Sequence, residues 1–145
     1  MPEILVVQAE IAELARIGNW VDALVERWGL PQSMSFAIHL CCEEALSNIV
    51  LHGCSGRQDE TGLNKDVRLA LECGNDAVTL TIEDHGVAFD PFEVAAPAVP
   101  TTISEARIGG QGIHLMRKFA QHLAYERRDG MNCLTLRFDL AKADD

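Results

Sequence analysis

The chain has 145 residues, 48% of them hydrophobic and 6% aromatic, and this length fits one domain spanning residues 1–145. Its 22 acidic and 12 basic side chains give a formal net charge of −10, so phosphate backbones and anionic lipids are poor partners. Uninterrupted apolar runs fall short of the ~18 residues of a membrane span, and the N-terminus lacks a secretory signal pattern. We therefore expect a soluble, cytoplasmic protein with no direct nucleic-acid or membrane binding.

The N-terminal third predicts a strand followed by two helices. Residues 3–8 are rich in β-branched side chains, and apolar residues recur at helical spacing over residues 9–28. Gly29 and Pro31 interrupt this pattern, and a second helix is expected to begin at residue 32 or 33 and to end at Gly53. A polar surface loop is expected over residues 55–64.

The rest of the chain alternates between strand patterns and one long connection. Apolar residues with a period of two over 67–72 and 78–82 predict a β-hairpin. The proline-rich segment 85–108 is long for an internal connection, which is typical of a lid or a binding loop. A helix over 113–120 and two strands, near 123–128 and 133–140, are expected to follow. This order predicts an α+β fold with one largely antiparallel sheet and helices over one face.

Glu44 and Asn48 form the first candidate site. They are four residues apart in the second predicted helix, so their side chains lie within ~40° of each other around its axis. An amide oxygen can bind Mg²⁺ while a nearby carboxylate deprotonates a hydroxyl, a combination suited to phosphoryl transfer. Taken alone, this spacing is more typical of a solvated helix face or of an ordinary i,i+4 side-chain pair.

Asp84 and Gly86 form the second candidate site, directly after a predicted apolar strand. An aspartate at such a position can accept a hydrogen bond from an exocyclic amine. A glycine two residues later allows a flat ligand to approach the backbone closely. An ordinary Asp-x-Gly turn is the alternative interpretation.

Three glycines, Gly109, Gly110 and Gly112, form the third candidate site at the start of the predicted helix 113–120. Backbone N–H groups at a helix start can bind phosphate. The spacing is neither that of a P-loop nor that of a dinucleotide-binding turn, and a flexible hinge is the alternative. Arg107, beside these glycines, could pair with a γ-phosphate.

The order and separation of these motifs resemble those of the Bergerat-fold ATPases, and within that class those of the anti-sigma-factor serine kinases. Residues 44–48 with His52 and Gly53 resemble the N box of the family. Residues 84–91 resemble its first glycine box, residues 109–116 its second, and residues 125–136 its last hairpin. The resemblance covers nearly the whole chain.

The resemblance implies a two-layer α/β sandwich, with a mixed, mostly antiparallel sheet and helices on one face. It implies binding of ATP with Mg²⁺ and transfer of the γ-phosphate to a serine of an anti-sigma antagonist protein. It also implies sequestration of a sigma factor and assembly as a homodimer. An ATP-binding partner-switch module without kinase activity is the second hypothesis.

By position, the resemblance also implies a role for each candidate residue. Glu44 would be the general base and Asn48 the Mg²⁺ ligand. Asp84 would accept a hydrogen bond from the adenine amine, and Gly86 would lie beside the adenine ring. The cofactor-binding residues around the phosphates would be Arg107, Gly109, Gly110 and Gly112.

Overall fold

A computed structural model describes residues 1–53, 65–88 and 116–140 of the chain. Within these ranges, five strands form one sheet, and two long helices precede the second strand. The bounds are β1 Glu3–Gln8, α1 Leu14–Trp28, α2 Gln32–Asn48, β2 Asp66–Cys73, β3 Ala77–Asp84, β4 His122–Arg128 and β5 Met131–Asp139.

The strands lie in the order β1-β2-β3-β5-β4, and all four neighbouring pairs are antiparallel. The predicted α+β class is confirmed, and the described part of the sheet contains none of the parallel pairs that the expected mixed sheet would have. Two tight turns account for two of the pairings, since β2 and β3 are joined at residues 74–76 and β4 and β5 at Asp129 and Gly130. Both turn residues of the second hairpin have positive φ, 53° and 77°, as a two-residue hairpin turn requires.

The core lies between the helices and one face of the sheet. In β3 the apolar residues Val78, Leu80 and Ile82 are buried, whereas the threonines between them are half-buried on the other face. The helices bury apolar stripes against the sheet, for example Ile17, Val21 and Leu24 of α1. The side chains on the inner face of a strand therefore lie in the core between the sheet and the helices, as does the buried face of α2.

The first helix begins later than the sequence pattern predicts. A short 3-10 helix, Ile11–Glu13, precedes α1, and the Glu13 carboxylate accepts a 2.9 Å hydrogen bond from the Gln8 backbone N–H. The helix ends as predicted: Gly29 has φ +64°, and its N–H and that of Leu30 donate to the last carbonyls.

The segment Gln32–Leu51, which is α2 and its continuation, is long and apolar enough by length and composition to cross a membrane. Half of it is buried inside the fold, and a core helix of a folded domain passes the same test of length and composition. It also carries Glu43 and Glu44 side by side, and carboxylates are costly in a bilayer.

Candidate functional site

The helix α2 holds Glu44 and Asn48 near its C-terminal end. Asn48 is 9% exposed, while Glu44 is half-buried at the edge of the core. Burial raises the pKa of the Glu44 carboxyl, and the charge of neighbouring Glu43 raises it further. A carboxylate with a raised pKa is a stronger base than an ordinary surface glutamate.

The backbone changes helical type directly after Asn48. Residues Ile49–Gly53 form a π-helical turn, whereas α2 is regular up to Asn48. Such turns are rare and often occur at functional sites. Gly53, the predicted end of this helical segment, is the last residue that the structure describes here, and the sequence pattern gave no indication of the π-helical geometry.

Asp84 lies at the end of β3, on the inner face of the sheet, and is 6% exposed. Its Oδ1 accepts hydrogen bonds from the Gly86 backbone N–H at 2.8 Å and from the Asn132 side-chain amide at 3.1 Å. Among the described residues, both bonds to this carboxylate fall on Oδ1. The second oxygen, Oδ2, takes part in neither of these two hydrogen bonds.

The pKa of Asp84 is raised, because burial of its carboxyl outweighs the stabilisation of its charge. The opposing contributions come from the Asn132 amide, the Gly86 N–H and the electrostatic effects of nearby Arg127 and His85. The carboxyl is thus held by a polar network yet partly stripped of water.

Three residues of the β4–β5 hairpin fix the turn that follows Asp84. The Asn132 amide nitrogen also donates to the Val87 carbonyl at 2.9 Å, and Tyr125 donates its hydroxyl proton to the Asn132 amide oxygen. Arg127 donates to the Gly86 carbonyl at 2.8 Å. Asn132 thereby holds both sides of the turn, and Arg127 holds its centre.

The sequence analysis did not identify Asn132, Tyr125 or Arg127 as site residues. The signal for Asn132 is its place two residues after Gly130, because a hairpin register then sets it beside the strand that ends at Asp84. That register becomes evident only once β5 is known to pair with β3.

The structure groups the predicted residues into two sets. Glu44 and Asn48 share one face of α2, and Asp84 is joined to Gly86 by a hydrogen bond. No hydrogen bond within the described residues links these two sets, which lie at the helix side of the sheet. The predicted residues Arg107, Gly109, Gly110 and Gly112 lie outside the described residues.

The donor set fits a nucleotide with a divalent cation. The amide oxygen of Asn48 is a hard ligand of the kind that Mg²⁺ accepts. The Oδ2 atom of Asp84 can accept from an amine, and the backbone beside it carries a glycine, Gly86, with no side chain to obstruct a flat ring.

Comparison with known proteins gives three kinds of match. The family model for the histidine kinase-like ATPase domain matches residues 7–138. The chain is 38% identical over 119 residues to the serine/threonine-protein kinase BtrW of Bordetella bronchiseptica, covering 81% of this chain and 79% of that protein. It is 32% identical over 87 residues to the anti-sigma F factor of Clostridium beijerinckii, covering 60% of this chain and 57% of that one.

A solved structure supports the fold independently. The RsbU and RsbW domains of a Mycobacterium tuberculosis protein superpose with a TM-score of 0.67 at 16% identity. The match covers 97% of this chain and 32% of that one. The family model over residues 7–138 confirms the family that the motifs indicated: the chain belongs to the histidine kinase-like ATPase domains.

Proposed function

We propose that this protein is an ATP-dependent serine kinase of a partner-switching regulatory system. The observation that carries the proposal is the Asp84 carboxylate, which is buried and fixed through Oδ1 by two hydrogen bonds. The sequence similarity to a serine/threonine-protein kinase over four fifths of the chain supports the same activity.

In the proposed reaction, Asp84 Oδ2 accepts a hydrogen bond from the adenine amine and Gly86 lies against the ring. The Asn48 amide oxygen holds Mg²⁺, which would neutralise phosphate charge when bound. Arg107, Gly109, Gly110 and Gly112 are proposed to surround the phosphates. These contacts bind and orient the nucleotide without taking part in proton transfer.

Glu44 is proposed as the general base. It takes the proton of the substrate serine hydroxyl as the serine oxygen forms a bond to the γ-phosphorus, while the bond from that phosphorus to the β,γ-bridging oxygen breaks and ADP leaves. The raised pKa of Glu44 suits this role, because a stronger base accepts the proton more readily. One turn of α2 separates this base from the proposed metal ligand.

The proposed partners follow from the relatives. One relative is an anti-sigma F factor, which supports a sigma factor as the sequestered partner and an anti-sigma antagonist protein as the phosphorylated one. We further propose that the chain is one domain, that it acts in the cytoplasm and that it assembles as a homodimer.

Nucleotide binding gives the first test. Calorimetric titration of the parent with ATP and Mg²⁺ is expected to give saturable binding, which Asn48→Ala and Asp84→Ala each weaken by at least about tenfold through loss of a buried polar contact. Glu26→Gln, at an exposed position of α1, is the control and should bind like the parent. Unchanged binding by both site variants would refute the site assignment.

A further inference from the structure

The inner face of the sheet carries a row of polar side chains at the end where β3 finishes. Asn132 of β5 is directly opposite Asp84 of β3 and also directly opposite Arg127 of β4. Tyr125 precedes Arg127 by two residues on β4, so both side chains are on the same face of the strand. An aromatic side chain is long enough to reach a diagonal neighbour on the next strand. The Tyr125 hydroxyl makes such a contact, because it donates to the amide oxygen of Asn132.

The side-chain amide of Asn132 forms hydrogen bonds through both its nitrogen and its oxygen. The nitrogen carries two hydrogens, and it donates to the Asp84 carboxylate at 3.1 Å and to the Val87 carbonyl at 2.9 Å. A backbone carbonyl and an ionised carboxylate can only accept hydrogen bonds. A rotation of the amide by 180° would therefore bring its oxygen against two acceptors. In the observed orientation the oxygen needs a donor, and the Tyr125 hydroxyl supplies it.

The hydrogen bonds at this turn run in one direction. The Gly86 backbone N–H donates to Asp84 at 2.8 Å, and Arg127 donates to the Gly86 carbonyl at 2.8 Å. A second path leads from Tyr125 through Asn132 to Asp84 and ends on the carboxylate. Because an ionised carboxylate only accepts, a ligand group that binds it must donate. The 6-amino group of adenine meets this requirement, whereas the 6-oxo group of hypoxanthine would set one acceptor against another.

We propose that Tyr125 is a positioning residue for nucleotide selection, and that it acts through Asn132 on Asp84. The hydroxyl holds the Asn132 amide in the orientation that donates to Asp84. The carboxylate is thereby kept in place as an acceptor, which favours a 6-amino purine over a 6-oxo purine. This inference rests on the proposed binding of ATP at Asp84, and it is separate from the proposed transfer chemistry at Glu44.

The burial of the two residues explains why the hydroxyl has this effect. Asn132 is 6% exposed, and Tyr125 is half-buried on the edge strand β4. Without the hydroxyl, the amide oxygen of a buried asparagine would lose this donor, which is costly in a region with little access to water. The amide is then expected to move towards another donor and to weaken its bond to Asp84. Hydrogen bonds in such a series also polarise one another, so the loss of the first weakens the second.

Comparison of two nucleotides separates positioning from a general loss of structure. Calorimetric titration of the full chain with the Mg²⁺ complexes of ATP and of inosine triphosphate (ITP), which has a 6-oxo group, gives the ratio of the two affinities. Tyr125→Phe keeps the ring and removes the hydroxyl. We expect the ATP affinity to fall at least about fivefold and the ITP affinity to change by less than about twofold, because ITP has no 6-amino group to donate to Asp84. A role in folding alone would lower both affinities by the same factor.

Two further variants control for the loss of a hydroxyl and test the path through Asn132. Thr135→Val removes a hydroxyl from the same hairpin, on the outer face of the sheet, and should leave the affinity ratio unchanged. Tyr125→Phe combined with Asn132→Ala should bind ATP no more weakly than Asn132→Ala alone, because the hydroxyl acts through the amide that is already absent. Circular dichroism checks that each variant is folded.

The outcomes distinguish this inference from the proposed function. A parent that does not bind ATP would overturn the proposed site and the inference with it, and a parent that binds both nucleotides equally would overturn the recognition of the amine by Asp84. A parent that prefers ATP, together with a Tyr125→Phe protein of the same affinity ratio, would overturn the inference alone.

A second measurement needs no substitution. Tyr125 is the only tyrosine of the chain, so incorporation of fluorotyrosine gives one fluorine resonance that reports this side chain. Saturation with ATP is expected to shift the resonance more than saturation with ITP, because only ATP adds a donor at the end of the series. Equal shifts would contradict the role of Tyr125, even if the Tyr125→Phe protein did not fold.

Discussion

Asn132 donates from one amide nitrogen to both sides of the turn that follows β3, to Asp84 Oδ1 at 3.1 Å and to the Val87 carbonyl at 2.9 Å. Asn132 and Asp84 are directly opposite each other in the antiparallel β3–β5 pair, although 48 residues separate them in the chain. The β4–β5 hairpin therefore sets the direction in which the proposed adenine-reading carboxylate points.

Replacing Asn132 by alanine is expected to weaken both the fold and nucleotide binding. The change leaves Asp84 Oδ1 and the Val87 carbonyl without this donor in a buried region, which should cost about 1–3 kcal/mol of unfolding free energy. Urea unfolding measures this loss, and calorimetry should show weaker Mg²⁺-ATP binding by a protein that is still folded. An Asn132→Ala protein with the parent's affinity would show that the turn does not depend on this amide.

Adjacent arginines on β4 offer a matched comparison. Arg127 donates to the Gly86 carbonyl, whereas Arg128 pairs with Glu126 at 3.3 Å and with Glu83 at 3.9 Å. Arg127→Met should lower nucleotide affinity, because the centre of the Asp84 turn loses its donor. Arg128→Met should leave the affinity within about twofold, since neither of these ion pairs holds the Asp84 turn. Calorimetry with the same ATP stock tests both, and equal affinities for the two variants would contradict the proposed role of Arg127.

Asp84→Asn is expected to separate stability from binding. Because the pKa of Asp84 is raised in the folded state, its contribution to stability is full below the unfolded pKa of about 3.9 and is lost as the pH rises through the folded pKa. Asparagine keeps an oxygen for the Gly86 and Asn132 donors and does not ionise. As the pH rises from about 4 to 7, the unfolding free energy of the variant should therefore increase relative to that of the parent.

The same variant should bind ATP at least about tenfold more weakly, because an amide N–H in place of Oδ2 would face the adenine amine, donor against donor. Urea titrations across this pH range and calorimetry at pH 7 provide the two measurements. An identical pH dependence of stability in parent and variant would contradict a raised pKa of Asp84.

Glu43→Gln is expected to shift the pH dependence of phosphate transfer. The charge of Glu43 is the second cause of the raised pKa of Glu44, so its removal should lower that pKa. Transfer requires deprotonated Glu44, and the acidic limb of kcat/KM should therefore move to lower pH. Glu26→Gln, which removes an exposed charge on α1, should leave the profile unchanged. A limb that does not move would indicate that another group titrates in that range.

The elements were predictable where local patterns dominate. The strand Glu3–Gln8 has the predicted bounds, and the turn at residues 74–76 lies between β2 and β3 as the alternation of apolar and polar residues indicated. The helix start at Leu14 was not predicted, because residues Ile11–Glu13 form a 3-10 helix in place of the first α-helical turn. Apolar periodicity alone does not distinguish so short a 3-10 helix from the start of an α-helix.

The candidate site, too, could be predicted from the sequence only in part. Asp84 and Gly86 are adjacent in sequence, so their turn could be proposed from the motif, and their hydrogen bond is consistent with it. The support from Asn132 and Arg127 could not be proposed, because it requires the order β3-β5-β4 in the sheet. Residues that hold a motif in place from distant strands leave no local pattern.

Phosphate transfer by the Glu44→Gln protein is the decisive measurement for the proposed kinase. Radiolabelled ATP, Mg²⁺ and a cognate anti-sigma antagonist are incubated with parent or variant, and ATP affinity is measured on the same samples. Glutamine has nearly the same shape and leaves Asn48 undisturbed, but it cannot accept a proton at neutral pH. We expect unchanged ATP affinity and a loss of roughly 10²–10⁴-fold in incorporation. Equal incorporation by parent and variant would remove Glu44 from catalysis, and no incorporation by either, with ATP bound, would contradict the kinase and leave a partner-binding module.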